Sequence, residues 1–447
     1  TCWLALALAA GSGALRPQPD VGVVLSTLRG SSDAVFWGVP PQLHSLVPEE
    51  KADEVLAAVT APDDDGSAVA AGVEAVLPSM TASQLEPLFD GTVRAQNGPL
   101  LGVVAGALAA ADLPGLDRLV HTVSDVPLLV AARSAADRSG TARDVLGRRL
   151  GELMLGFAGP WSTLDPGHAA STADLVAGWA GDDADHMLEL VADLENTEVE
   201  CTLIAAVVVG APGHAHAEDR LRSLASALSP VDAVCALGPA AGLGIESPAL
   251  LGVAAGVRPG VEAALAAPGL EAPDLLADSL GQLAALATGS AQEEYARLAI
   301  AAAARVGIRA FRAFAVGRLA TLLPSETLAG LSDAVDRLEE DGVYGPRSRA
   351  SAVDALATRF ASEGRIDDAL RLVDSLHDPP HRFLAVFHLA QVISSGAGVD
   401  VGWLTRPGRR PRSHWLAEIA GVAAVSVHDL PAPEILRITD DCLRWWP

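Results

Sequence analysis

The chain has 447 residues, of which 50% are hydrophobic but only 4% aromatic and 19% charged. Its apolar mass is Ala, Leu and Val; such a composition excludes an intrinsically disordered chain and is enough to bury a sizeable core. Acids outnumber bases 56 to 31, a formal net charge of −25, which argues against nucleic acid as main partner because phosphate binding is largely neutralisation by Lys and Arg. The one lysine, Lys51, lies in Glu49-Glu50-Lys51-Ala52-Asp53-Glu54, outside any glycine-rich turn, and this excludes P-loop, protein-kinase and pyridoxal chemistry.

Cys2 to Ala10 has the length of a signal-peptide apolar region, but no basic segment precedes it, and it reads as a first helix. Helical spacing follows at Glu49 to Val59, and Pro62-Asp63-Asp64-Asp65-Gly66-Ser67 ends that helix and caps the next. The same spacing continues over Ala142 to Phe157, Ala173 to Leu194, Glu218 to Leu228 and Glu293 to Val306. The apolar stretches Leu100 to Ala111 and Cys201 to Ala211 stop short of the roughly 20 residues a membrane span requires, so no transmembrane segment is expected. The best strand candidate, Val207-Val208-Val209, is cut off by Gly210 and Pro212, so little or no sheet is expected. Later starts are signalled by Pro324-Ser325-Glu326 and Ser332-Asp333, and Gly364 separates a helix pair. Cys2, Cys201, Cys235 and Cys442 are scattered without a C-x-x-C pair, which predicts neither zinc nor a disulfide framework but thiols in a reducing cytoplasm.

The C-terminal part repeats. From Arg312 the chain reads Arg-Ala-Phe-Ala-Val-Gly-Arg-Leu-Ala-Thr-Leu-Leu, and from Arg349 Arg-Ala-Ser-Ala-Val-Asp-Ala-Leu-Ala-Thr-Arg-Phe, without a gap. Further copies start at Arg382 and Arg412, so the steps are 37, 33 and 30 residues, and Leu283-Ala284 is a weaker forerunner 36 residues before Leu319-Ala320. Positions four, five, eight and nine of the template are apolar: Ala315, Val316, Leu319 and Ala320 in the first copy. They form a stripe on one helix face, whose alanines let a second helix approach closely. That helix follows at Glu326 to Leu338 and again at Ile366 to Leu376. One such hairpin cannot bury both faces, so neighbours must stack, and an all-α solenoid of antiparallel helix pairs is expected.

The segment from Gly364-Arg365-Ile366-Asp367-Asp368-Ala369-Leu370 through Asp378-Pro379, followed by Arg382 and Ala385, resembles the tetratricopeptide/HEAT-like helical repeats of bacterial proteins. The resemblance covers Val306 to about Val425 and is generic to α-solenoids. It implies the kind of arm that serves as sensor in signal-transducing (STAND-type) ATPases and conflict-defence proteins. With it the chain divides into 271–447, TPR/HEAT-like repeats, and 1–270, either degenerate helical repeats or a separate helical domain.

Four candidate sites stand beside structural explanations. The arginines opening each copy, Arg312, Arg349, Arg382 and Arg412, suit bonds to the free carbonyls of the preceding helix, or a cationic ladder for an acidic ligand. Trp403 with Arg406, Arg409, Arg410 and Arg412 is the most anomalous cluster on an acidic chain; it suits a solvated loop or one folded back onto the protein's own acidic surface, or, as an aromatic flanked by arginines, a protein or nucleic-acid contact. His214 and His216 fit a helix cap better than a metal site, and His377, His381 and His388 lie within the repeat template. Asp182-Asp183-Ala184-Asp185 lacks the partner motif of an all-α terpene cyclase, and no G-x-S-x-G, H-E-x-x-H or G-x-G-x-x-G element is present. The expectation is a cytoplasmic, non-enzymatic scaffold or sensor that binds a protein or peptide on a curved surface, with no cofactor, no metal and no membrane contact. The rival is an all-α enzyme with dispersed catalytic residues.

Overall fold

The computed structural model describes residues 82–94, 96–110, 116–136, 140–156, 158–336, 338, 345–377 and seven positions between 381 and 392. Among these, all regular structure is helical, and the chain divides into two compact units between Thr172 and Ala173. The Ala, Leu, Arg and Glu content that favours helix therefore governs throughout.

The first unit contains α1 (Ala82–Arg94), α2 (Gly98–Ala110), α3 (Leu116–Val120), α4 (Val126–Ala135) and α5 (Gly140–Met154). Apolar almost all round, α2 packs against α1, α4 and α5 and buries Leu100, Leu101, Val104, Ala105 and Leu108. Asp125 caps α4 by accepting the Leu128 amide at 2.8 Å. Trp161 is fully buried, and its indole donates to the Met154 carbonyl at 3.1 Å, so the ring adds apolar area without an orphaned donor.

The second unit starts within α6 (Pro166–Asp182). It continues through α7 (Ala184–Val191), α8 (Thr197–Gly210), α9 (Ala215–Ala227), α10 (Pro230–Ala241), α11 (Pro248–Ala266), α12 (Pro273–Leu286), α13 (Gly289–Arg305), α14 (Arg309–Leu322), α15 (Leu328–Asp336), α16 (Gly345–Ser362) and α17 (Ile366–Asp374). The starts have chemical causes. Asp183, Asn196, His214, Ser229 and Ser247 each cap the helix that follows, and α10, α11 and α12 carry Pro in the first turn, where its missing N–H costs nothing. Asp183 splits the continuous helix expected over Ala173 to Leu194, because its side chain accepts the His186 amide. Val207-Val208-Val209 is helical within α8, and Ser332-Asp333 lies inside α15 rather than opening a helix.

Alternate helices are neighbours. The first row runs α8, α10, α12, α14, α16, each packed on the next, and the second runs α9, α11, α13, α15; each first-row helix also packs on the helix that follows it in sequence. The first row meets through glycine. A Cβ on Gly210 would strike the Ala177 carbonyl oxygen in α6, and one on Gly281 would lie 2.7 Å from a Leu319 methyl in α14. The stripe is buried as its spacing requires: Ala315, Val316, Leu319 and Ala320 in α14, Ala352, Val353, Leu356 and Ala357 in α16, and Ala385, Val386 and Leu389 in the third copy. Gly364, at φ +76°, makes the left-handed turn between α16 and α17.

α11 is apolar as well: an 18-residue window within its 19 residues has a mean hydropathy of 1.3, and its length and composition suffice to cross a membrane. Arg258, Pro259 and Glu262 interrupt it, and Val253, Ala254 and Val261 are buried in the row packing.

Candidate binding surface

The first turns of the first-row helices form one edge. In α14, the apolar stripe faces inward, and Arg312 is held there by its Nε bond to the Val306 carbonyl at 2.9 Å, the C-cap of α13. This fixes the rotation of α14 and turns Ile308, Phe311 and Phe314 outward, 60%, 54% and 63% exposed. In α12, the residue 36 positions before Phe311 is Leu275, 59% exposed. The two helices run side by side in the same direction, since Gly281 sits opposite Leu319 and Leu322, and Arg318 donates to Asp278 at 3.0 and 3.1 Å. Packed helices lie roughly 8–10 Å apart, so the exposed side chains belong to one edge. Scattered exposed Leu residues need no explanation, but two phenylalanines, an isoleucine and a leucine on adjacent first turns form a patch of the kind that marks interaction sites.

Acids continue this edge. Glu198, Asp232 and Asp274 lie in the first turns of α8, α10 and α12. Burial raises the Glu198 carboxyl above its ordinary value, and the Asp232 charge adds to the effect. The Cys235 thiol is pushed up to about 12, first by burial and then by the charges of Glu198, Asp232 and Asp274. Among the described residues no cation pairs with any of the three, whereas Asp278, Glu262 and Glu294 are paired with Arg318, Arg297 and Arg258.

The recurrent arginines serve the packing. Besides the Arg312 bond, Arg349 donates to the Ser375 carbonyl at 2.9 Å and to Ser375 Oγ at 3.0 Å, at the end of α17. Arg382, only 1% exposed, donates to the Val373 carbonyl at 2.9 Å and pairs with Asp374 at 2.5 Å. All three bind helix C-termini, Arg312 and Arg382 that of the preceding helix as expected, but Arg349 that of the helix that follows its own, since α17 folds back on α16 and brings its end to the start of α16. Arg412 lies outside the described residues, as do Trp403, Arg406, Arg409 and Arg410.

His214 acts as a cap: its Nδ1 accepts the Ala217 amide at 3.3 Å while Nε2 meets Asp185 at 3.1 Å, so the proton resides on Nε2. His388 Nδ1 lies 2.7 Å from Asp354, joining the third copy to α16. Burial alone would lower this imidazole, but the hydrogen bond and charge of Asp354 outweigh it and hold His388 above its ordinary value. Cys201 is pushed up to about 12, first by burial and then by Glu200 and Glu198, and it is a buried free thiol. Among the described residues no three His, Cys, Asp or Glu side chains are grouped to hold a metal ion.

Phe311, Phe314 and Leu275 were not singled out by the sequence reading, although a signal existed. On a helix at about 100° per residue, Phe311 and Phe314 fall outside the arc of the stripe that the template defines.

The chain matches no family model, no curated protein and no solved structure. The functional reading therefore rests on the edge described above.

Proposed function

We propose that this chain is an α-solenoid that works as a non-enzymatic protein- or peptide-binding scaffold. The architecture is supported by alternate helices packing in two rows and by the buried stripe recurring in α14, α16 and the third copy. The function rests on one observation: Leu275, Ile308, Phe311 and Phe314 are exposed together along the first-row edge. Burying a large apolar side chain contributes about 1.5–3 kcal/mol, so an edge of four offers a partner enough to hold it. A cytoplasmic setting is supported by the free thiols of Cys201 and Cys235.

The test is to select a displayed peptide library on the full chain and then measure the selected peptides on Phe311→Ser/Phe314→Ser. Both side chains are exposed, so circular dichroism and melting should match wild type. Peptides that bind wild type and lose about tenfold or more in affinity on the variant support the reading. Peptides that bind both proteins equally place recognition elsewhere and sink it.

A further inference from the structure

We infer that the first-row edge selects a partner segment carrying apolar anchors together with lysine or arginine. This rests on the binding-scaffold reading above and adds the chemistry of the occupant.

The argument is one of charge complementarity beside an apolar patch. Along the row the first two turns present Glu198 on α8, Asp232 on α10, Asp274 and Leu275 on α12, then Phe311 and Phe314 on α14. The helix dipole by itself favours acids at helix starts, and Asp232 also joins a local cap by accepting from Ser229 Oγ at 2.7 Å. The dipole does not explain why the next helix start along the same edge exposes two phenylalanines. With 56 acids against 31 bases many carboxylates must lack a cation, and among the described residues these three do, so a basic segment would displace no existing ion pair there.

A basic segment laid across the row would meet three carboxylates on neighbouring helices and bury its apolar side chains against Leu275, Phe311 and Phe314. An acidic segment would find the same anchors but be repelled at α8, α10 and α12. The apolar end thus supplies affinity, while the acidic end supplies selection and speed of encounter.

The experiment uses the full chain and three fluorescein-labelled helical peptides of about sixteen residues, followed by anisotropy. One has Leu at helical spacing with Lys elsewhere; one keeps Leu but has Glu for Lys; one keeps Lys but has Ser for Leu. The Leu/Lys peptide is expected to bind, weakening about tenfold on Phe311→Ser/Phe314→Ser and about three- to tenfold on Asp232→Asn/Asp274→Asn, with a steep loss between about 50 and about 300 mM salt. Glu189→Gln/Glu246→Gln removes the same charge from exposed sites elsewhere and should leave binding within about twofold, which separates the edge from the general −25 charge. If the Leu/Glu peptide binds as well as Leu/Lys and both lose affinity on the phenylalanine variant, the scaffold reading stands and the charge selection is overturned. If the two carboxylate pairs weaken binding equally, the selection is likewise overturned. If the phenylalanine variant changes nothing, the scaffold reading itself falls. Self-association that disappears in that variant, seen by sedimentation, would assign the edge to a second copy and overturn the inference.

Discussion

Replacing Gly210 with alanine should destabilise the second unit, although alanine is the better helix former. An alanine Cβ at this position would lie within contact distance of the Ala177 carbonyl oxygen and 2.7 Å from both the carbonyl carbon and Cα of the same residue. Every obstructing atom is main chain, so no rotamer change relieves the overlap, and α6 and α8 must separate by on the order of 1 Å. Overpacking of this kind costs about 1–3 kcal/mol. The helix-propensity gain of up to about 1 kcal/mol is reduced because Gly210 is the last residue of α8. A net loss of about 1–2 kcal/mol would lower the melting temperature by about 2–8 °C in a unit of this size. Gly252, exposed in the second turn of α11 with nothing within 4 Å of its would-be Cβ, is the control. There alanine should stabilise by about 0.5–1 kcal/mol. The assay is thermal and urea unfolding followed at the helical dichroism band. Equal, upward shifts for both variants would refute the argument that helix approach is set by glycine.

Three further outcomes are expected. Arg220→Met strands Glu200, whose side chain is 4% exposed and paired with Arg220 at 2.5 Å; the loss should be about 3–5 kcal/mol in urea unfolding, with much of it recovered when Glu200 is also changed to Met. Ala272 starts α12 in the left-handed region at φ 43° with no side-chain cap, so Ala272→Gly should raise stability by about 0.5–1 kcal/mol: about 1–2 kcal/mol of relieved strain less the entropy of a freer unfolded chain. His388 has a raised value in the fold, so its contribution is complete below the unfolded value of 6.5 and is lost as pH climbs through the higher folded one. The melting difference between wild type and His388→Asn should therefore be greatest below pH 6.5 and shrink as the pH rises above it, and a constant difference would dismiss the pairing.

Where the sequence was legible, the information was local and periodic. The stripe at Ala315, Val316, Leu319 and Ala320 can be read because burial on a helix repeats within two turns, and its copies in α16 are buried in the same register. Caps are equally local: Asp183 and His214 act on amides three residues away. By contrast, local spacing puts Phe311 and Phe314 outside the arc of the stripe but does not tell whether another helix covers them. Their exposure depends on which neighbour α12 supplies, a relation across some 36 residues. The apolar character of α11 is less legible for a different reason: an arginine, a proline and a glutamate break its apolar run.

The arginine joints bear on how this chain can change. Arg312, Arg349 and Arg382 reach the main-chain oxygens of Val306, Ser375 and Val373. Any amino acid provides that oxygen, so at Val306, where Arg312 bonds the main chain, the acceptor is free to drift without loosening the joint, whereas the carboxylate of Asp374 under Arg382 and the hydroxyl of Ser375 under Arg349 would have to be kept. Arg349 closes on the second helix of its own pair, while Arg312 and Arg382 close on the helix before them. A duplicated pair would thus carry one anchor with it, and for the other would require only that its new neighbour end in a helix.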